Sequence, residues 1–98
     1  MSTSVRAKPD VEIRLAPLWR VLIHNDDRTP MDFVVDVLRE IFARDEPEAV
    51  RIMLEAHHQG VALVVVEPRE RAEFHLDQAH SLARGRKFPL TFTTEPEE

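Results

Sequence analysis

Two short segments of this 98-residue chain concentrate the side chains that could do chemistry. The first is His24-Asn25-Asp26-Asp27-Arg28-Thr29-Pro30-Met31, and the second is Met53-Leu54-Glu55-Ala56-His57-His58-Gln59-Gly60. Carboxylates, an amide oxygen and a neutral imidazole nitrogen all accept hydrogen bonds, and the carboxylates also carry negative charge. Met53 and His57 are four residues apart and share a helix face, with Ala56 beside them. If the segments met, Met31, Val34, Met53 and Ala56 would line an apolar cavity next to a set of acceptors. The complement of that surface is an ammonium beside a bulky hydrophobic side chain. The free N-terminus of a polypeptide beginning with Leu, Phe, Tyr or Trp has that form.

Each feature also has a plainer reading. Asn25-Asp26-Asp27 is a common turn signal. Met31 and Met53 could simply fill the core. His57 and His58 near a helix C-terminus favour the helix dipole in any protein. His75 and His80 read as solvated residues of a later helix. Paired as acid and base, His57 and Asp26 or Asp27 would suggest a hydrolase, but no nucleophile accompanies them. Adjacent aspartates plus one histidine match no specific metal spacing, so neither metal nor other cofactor is expected. A third possibility is a structural interaction domain of ribosome-stalk-like fold.

The elements that must position these residues follow from periodicity. Leu18 to His24 is rich in β-formers and ends at the Asn25-Asp26-Asp27 turn. Thr29 is placed to cap a helix with Pro30 as its first residue and Val34, Val37, Leu38, Ile41 and Phe42 as its core stripe. Asp45 is placed to cap a second helix carrying Val50, Met53, Leu54 and His57, which Gly60 ends in a left-handed conformation. A helical hairpin would return His57 towards the Asn25 turn and Met53 towards Met31. Val61 to Val66 has no polar residue and reads as a central strand covered on both faces. Pro68 opens a third helix with Ala72, Leu76, Ala79 and Ala83 on one side and Gly85 just past its end. Pro89 to Thr94 alternates like a half-buried strand.

The order β-α-α-β-α-β predicts an α+β domain, helices packed against a small sheet. Residues 1–17 read as a flexible N-terminal arm, 18–94 as the core and 95–98 as an acidic tail. The chain is 43% apolar and 32% charged, a globular balance. Its net charge of −5 disfavours nucleic-acid binding. The lack of cysteine excludes disulfide staples and leaves the compartment open, but with no signal-peptide core and no membrane-length apolar run the expectation is a cytoplasmic, protein-facing monomer.

Asn25-Asp26-Asp27, Thr29-Pro30-Met31, Phe33-Val34-Val35, Met53-Leu54, His57 and Gly60 together resemble the ClpS family of N-end-rule adaptors. The resemblance runs from about Trp19 to Thr94 without insertion or deletion. It weakens after Val61 and returns at Pro89-Leu90. It implies a fold of three antiparallel strands and three helices, and a non-catalytic protein that delivers bulky hydrophobic N-termini to a Clp unfoldase–protease. It implies that Asn25, Asp27 and His57 hold the α-amino group, with Asp26 adding acidic surroundings. Thr29, Met31, Val34, Met53, Ala56 and Leu90 would line the side-chain pocket, with Met31 as a gate against β-branched first residues. Glu70, and His75 where the family carries lysine, would dock on the N-terminal domain of the ClpA unfoldase, or of ClpC. The arm would serve hand-over. Ala56 stands where the family usually has valine, which implies a wider pocket. Arg28 replaces a common aromatic at the rim.

Overall fold

The computed structural model describes residues 17–97. Apart from Pro17, the expected N-terminal arm lies outside the described residues. The elements are β1 (Leu18–His24), α1 (Met31–Glu40), α2 (Glu46–Gln59), β2 (Val61–Pro68), α3 (Arg69–Gly85) and β3 (Thr91–Pro96). Both strand pairings are antiparallel and the spatial order is β2-β1-β3. The expected order and α+β class are therefore observed, with the helices on one face of the sheet. That face presents Val21, Ile23, Ala62, Val64 and Phe92 to the core.

β2 is an edge strand and not the central one that its apolar run suggested. Val61 and Leu63 are each 38% exposed, whereas Ala62 and Val64 are buried. The reason for the unbroken run is a β-bulge. The β1–β2 register shifts between Val21 and Leu22, so Val65 and Glu67 lie opposite Val21 and Trp19. An extra residue in one strand reverses which parity faces inward, so both parities carry apolar residues somewhere along β2.

The core stripes of α1 and α3 are buried or packed against the core as expected, and α2 keeps both of its caps but not its stripe. Asp45 Oδ1 accepts the Glu48 N–H at 3.0 Å, and Gly60 closes α2 at φ 92° with its N–H on Ala56 O at 2.8 Å. The buried stripe of α2, however, is Ala49, Ile52 and Ala56, with Met53 half-buried and Leu54 41% exposed. Val50-Leu54 and Ile52-Ala56 have the same helical spacing, so periodicity alone could not choose between them. Small alanines let the helix approach its neighbours closely. α1 stops at Glu40, before Ile41 and Phe42. Ala43 takes φ 57° and the Arg44 N–H reaches Leu38 O at 3.1 Å, a Schellman-type end. Phe42 is buried all the same, with its ring 5.1 Å from Phe92. Gly85 is the last residue of α3, and the left-handed conformation past its end falls to Lys87 at φ 63°. The last strand begins later than expected and includes Glu95, whose carboxylate lies 3.7 Å from the Arg20 guanidinium across the sheet.

His75 and His80 are not freely solvated, because both tie α3 to the sheet. His75 Nδ1 lies 2.7 Å from an oxygen of Glu67, a charged residue only 8% exposed. His80 Nε2 accepts the Phe92 N–H at 2.9 Å. Burial pushes the His80 pKa below its ordinary 6.5, the Arg84 charge adds to this, and Asp77 opposes it. A neutral ring can accept that N–H; the imidazolium cannot. The unfolded chain therefore takes up a proton near pH 6.5 that the folded chain resists, so this contribution is complete above 6.5 and is lost on acidification through the folded value. Urea midpoints measured from pH 7.5 to 5 should fall more for the native protein than for His80→Gln. Parallel curves would disprove the assignment.

Candidate functional site

The site forms where β1 ends. His24 pairs with Val61 on one side and Thr91 on the other, so the chain leaving β1 is flanked by both neighbouring strands. The next residue extends the ladder: the Asn25 N–H donates to Gly60 O at 3.0 Å. That bond joins the β1–α1 turn to the C-terminus of α2. The two segments with chemical potential therefore meet, as the hairpin argument required.

Between them is a cavity of about 180 Å³. Its polar lining is Asn25, Asp26, Asp27 and His57, and its remaining walls include Thr29, Met31, Val34, Met53, Ala56 and Leu90. Every residue that the sequence suggested for this pocket is on it. Val34, Ala56 and Leu90 are buried, whereas Met31 is 47% exposed. Asn25, Asp27 and His57 are exposed, so the polar groups can meet a solvated charge while the interior stays apolar. Ile23 and His24 also line the cavity and were not singled out. Strand alternation from the core residue Val21 would have placed Ile23 inside. His24 stood in the first segment, but its fixed position, with Nε2 2.7 Å from Thr93 Oγ1, depends on the β1–β3 register.

The two aspartates differ in what they touch. Asp26 Oδ1 accepts the backbone N–H of Arg28 at 2.8 Å and of Thr29 at 2.7 Å, and Oδ2 accepts the Thr29 hydroxyl at 2.9 Å. Partial burial opposes ionisation of Asp26, but these three donors and the Arg28 charge outweigh it and hold the carboxyl below its ordinary range. Thr29 is consequently not the helix cap. Pro30 occupies that position without a side-chain bond, and the Thr29 hydroxyl closes the Asp26 turn instead. Asn25, Asp27 and His57 make no side-chain hydrogen bond among the described residues, which leaves them open to a ligand. Of the two α3 residues proposed for docking, Glu70 is exposed in the first turn and His75 is drawn back to Glu67. Arg28 is exposed but does not line the cavity. Among the described residues no cluster of metal-ligating side chains is assembled, and no helix is long and apolar enough to cross a membrane.

Comparison with known proteins agrees with this fold. The model of one family, described as ATP-dependent Clp protease adaptor protein ClpS, matches residues 14–93. An ATP-dependent Clp protease adapter protein ClpS from Desulfatibacillum aliphaticivorans is 42% identical over 93 residues, covering 95% of this chain and 89% of the relative. A protein of the same name from Gloeobacter violaceus is 44% identical, covering 99% of each chain. The solved structure of Agrobacterium tumefaciens ClpS2 bound to L-phenylalaninamide superimposes with a TM-score of 0.81 at 44% identity, covering 84% of this chain and 99% of that one. The family match and these relatives define a small α+β adaptor domain of the proteolytic machinery. The chain belongs to the ClpS family of ATP-dependent Clp protease adaptors.

Asp26 is the structural member of the acidic pair. Asp26→Ala should lose three hydrogen bonds and cost about 1–2 kcal/mol, discounted for partial exposure. The deficit, read from urea midpoints at pH 7, should narrow on acidification below 3.8, as the native carboxylate is protonated too. Unchanged midpoints at pH 7 would refute this division of roles.

Proposed function

We propose that the pocket binds the free N-terminus of proteins whose first residue is Leu, Phe, Tyr or Trp, and that the chain delivers them to a Clp AAA+ unfoldase. The observation that carries this reading is the juxtaposition of three acceptors, without a side-chain hydrogen bond among the described residues, with a buried apolar wall. Asn25 Oδ1, an Asp27 oxygen and a neutral His57 nitrogen suit the three N–H bonds of an ammonium. Asp26, already accepting three hydrogen bonds within its own turn, adds negative charge beside them. Thr29, Met31, Val34, Met53, Ala56 and Leu90 surround the first side chain. An apolar protein cavity of about 150 Å³ admits benzene, so 180 Å³ suits a phenyl ring.

L-phenylalaninamide, the ligand in the Agrobacterium structure, has the same chemistry: a free ammonium, an apolar side chain and an amide in place of the next peptide bond. Nothing in this recognition requires bond-making, so the role is binding and delivery without catalysis. Glu70, exposed on α3, is the proposed contact to the N-terminal domain of ClpA or ClpC. His75, held by Glu67, would contribute to that surface less than a free lysine does. Delivery to an ATP-driven unfoldase places this work in the cytoplasm.

Calorimetry with a Phe-first peptide should show binding that N-acetylation abolishes. Asp27→Ala removes a charge-assisted acceptor and should weaken binding at least about thirtyfold, with circular dichroism unchanged. Affinity kept within about threefold would exclude Asp27 from the ammonium site.

Ala56, 3% exposed and on the pocket wall, bears on ranking. Each methyl in an apolar pocket changes discrimination by only about 1–3 kcal/mol. Ala56→Val should therefore reorder Leu-, Phe-, Trp- and Ile-first peptides without creating a new specificity, the native protein favouring the larger or β-branched side chains more. Identical rankings on the two proteins would show that the missing methyls do not matter.

A further inference from the structure

We propose that Met31 is a reversible oxidation site, through which peroxide lowers the affinity of the pocket for apolar first residues. The inference rests on the binding role proposed above and adds its regulation. The chain contains no cysteine, so methionine thioethers are its oxidisable sulfurs. Two of its three methionines, Met31 and Met53, stand on the wall of the same cavity. Their environments differ. Met31 is the first residue of α1, follows the uncapped Pro30 and is 47% exposed. Met53 is half-buried and packed against the core. Oxidant access therefore favours Met31.

The step balances without any group from the protein. A sulfur lone pair attacks one oxygen of hydrogen peroxide, the O–O bond breaks and an S–O bond forms. The departing hydroxide takes the proton from the oxygen newly bound to sulfur, leaving a neutral sulfoxide and water. Sulfur is oxidised by two electrons and the peroxide is reduced by two. The product changes the wall in kind: a polarisable apolar thioether becomes a strongly dipolar sulfoxide. Its neighbours on the wall, Val34, Ala56 and Leu90, are buried and apolar. The carboxylates of Asp26 and Asp27 offer the new oxygen no donor. A ligand side chain entering the pocket would have to desolvate that sulfoxide and would lose its contact with the thioether. Reduction by a thiol-dependent methionine sulfoxide reductase reverses the change, since an exposed residue at the start of a helix is accessible to an enzyme.

The test treats the full chain with graded hydrogen peroxide and maps sulfoxide at each methionine by peptide mass spectrometry. On the same samples the affinity for a Phe-first peptide is measured. Met31 should be oxidised well before Met53, and affinity should fall at least about fivefold as Met31 sulfoxide accumulates. Methionine sulfoxide reductase with dithiothreitol should restore it. In Met31→Leu, the ratio of treated to untreated affinity should stay near one over the same doses. Oxidation of Met53 before Met31, or full affinity with Met31 completely oxidised, overturns the proposal while leaving the pocket's role intact. Absence of binding before any treatment overturns that role, and this proposal with it.

Discussion

The hydrogen bond from the Asn25 N–H to Gly60 O is the constraint on which the site depends. It is the last rung of the β1–β2 ladder, and its two ends lie in the two segments that carry the polar chemistry. Gly60 can accept there because its left-handed backbone turns the chain abruptly from α2 into β2. A residue with a Cβ would be strained at that φ. β1, paired on both sides, then holds the Asn25 turn against movement in the plane of the sheet. The site is thus built at the end of the most constrained strand, and no long loop is needed to form it.

The acidic turn divides its two carboxylates between its own backbone and the proposed site. Asp26 accepts three hydrogen bonds from the Arg28 and Thr29 donors, which fixes the backbone. Asp27 lines the pocket and is exposed, with no side-chain hydrogen bond among the described residues. Two adjacent residues of the same type do different jobs because only one of them faces the N–H groups of its own turn. The same economy appears on α3. Its histidines bond a sheet carboxylate and a sheet N–H, securing the helix over the core while its first turn leaves Glu70 exposed. The small alanines of α2 and α3 let the helices approach closely enough for such contacts.

Much of the site could be read from residue types because its parts are local. A turn signal, a helix start and a helix end each announce themselves within a few residues, and their juxtaposition follows once two consecutive helices form a hairpin. Asp45 and Gly60 sit where their capping chemistry demands, and Met31, Met53 and His57 lie on the pocket as their spacing and the family resemblance implied. What the residues left undecided is long-range. Val61 to Val66 looks like a central strand, yet a bulge and the strand order place it at the edge. Val50 and Leu54 compete with Ile52 and Ala56 for the core on equal periodicity, and only the packing of α2 decides between them.

By itself, then, the sequence determined the element order, the two caps of α2 and the chemical character of the pocket, because these depend on interactions within a turn or two of chain. The tertiary structure alone decided which strand lies in the middle, which face of α2 is buried and which donors Asp26 accepts from. It also decided that His75 and His80 are bonded to the sheet and not left in water. Those outcomes turn on partners that are distant in sequence: Glu67 for His75, Phe92 for His80 and Thr93 for His24. Such pairings are selected by strand register and helix packing, and no local propensity encodes either.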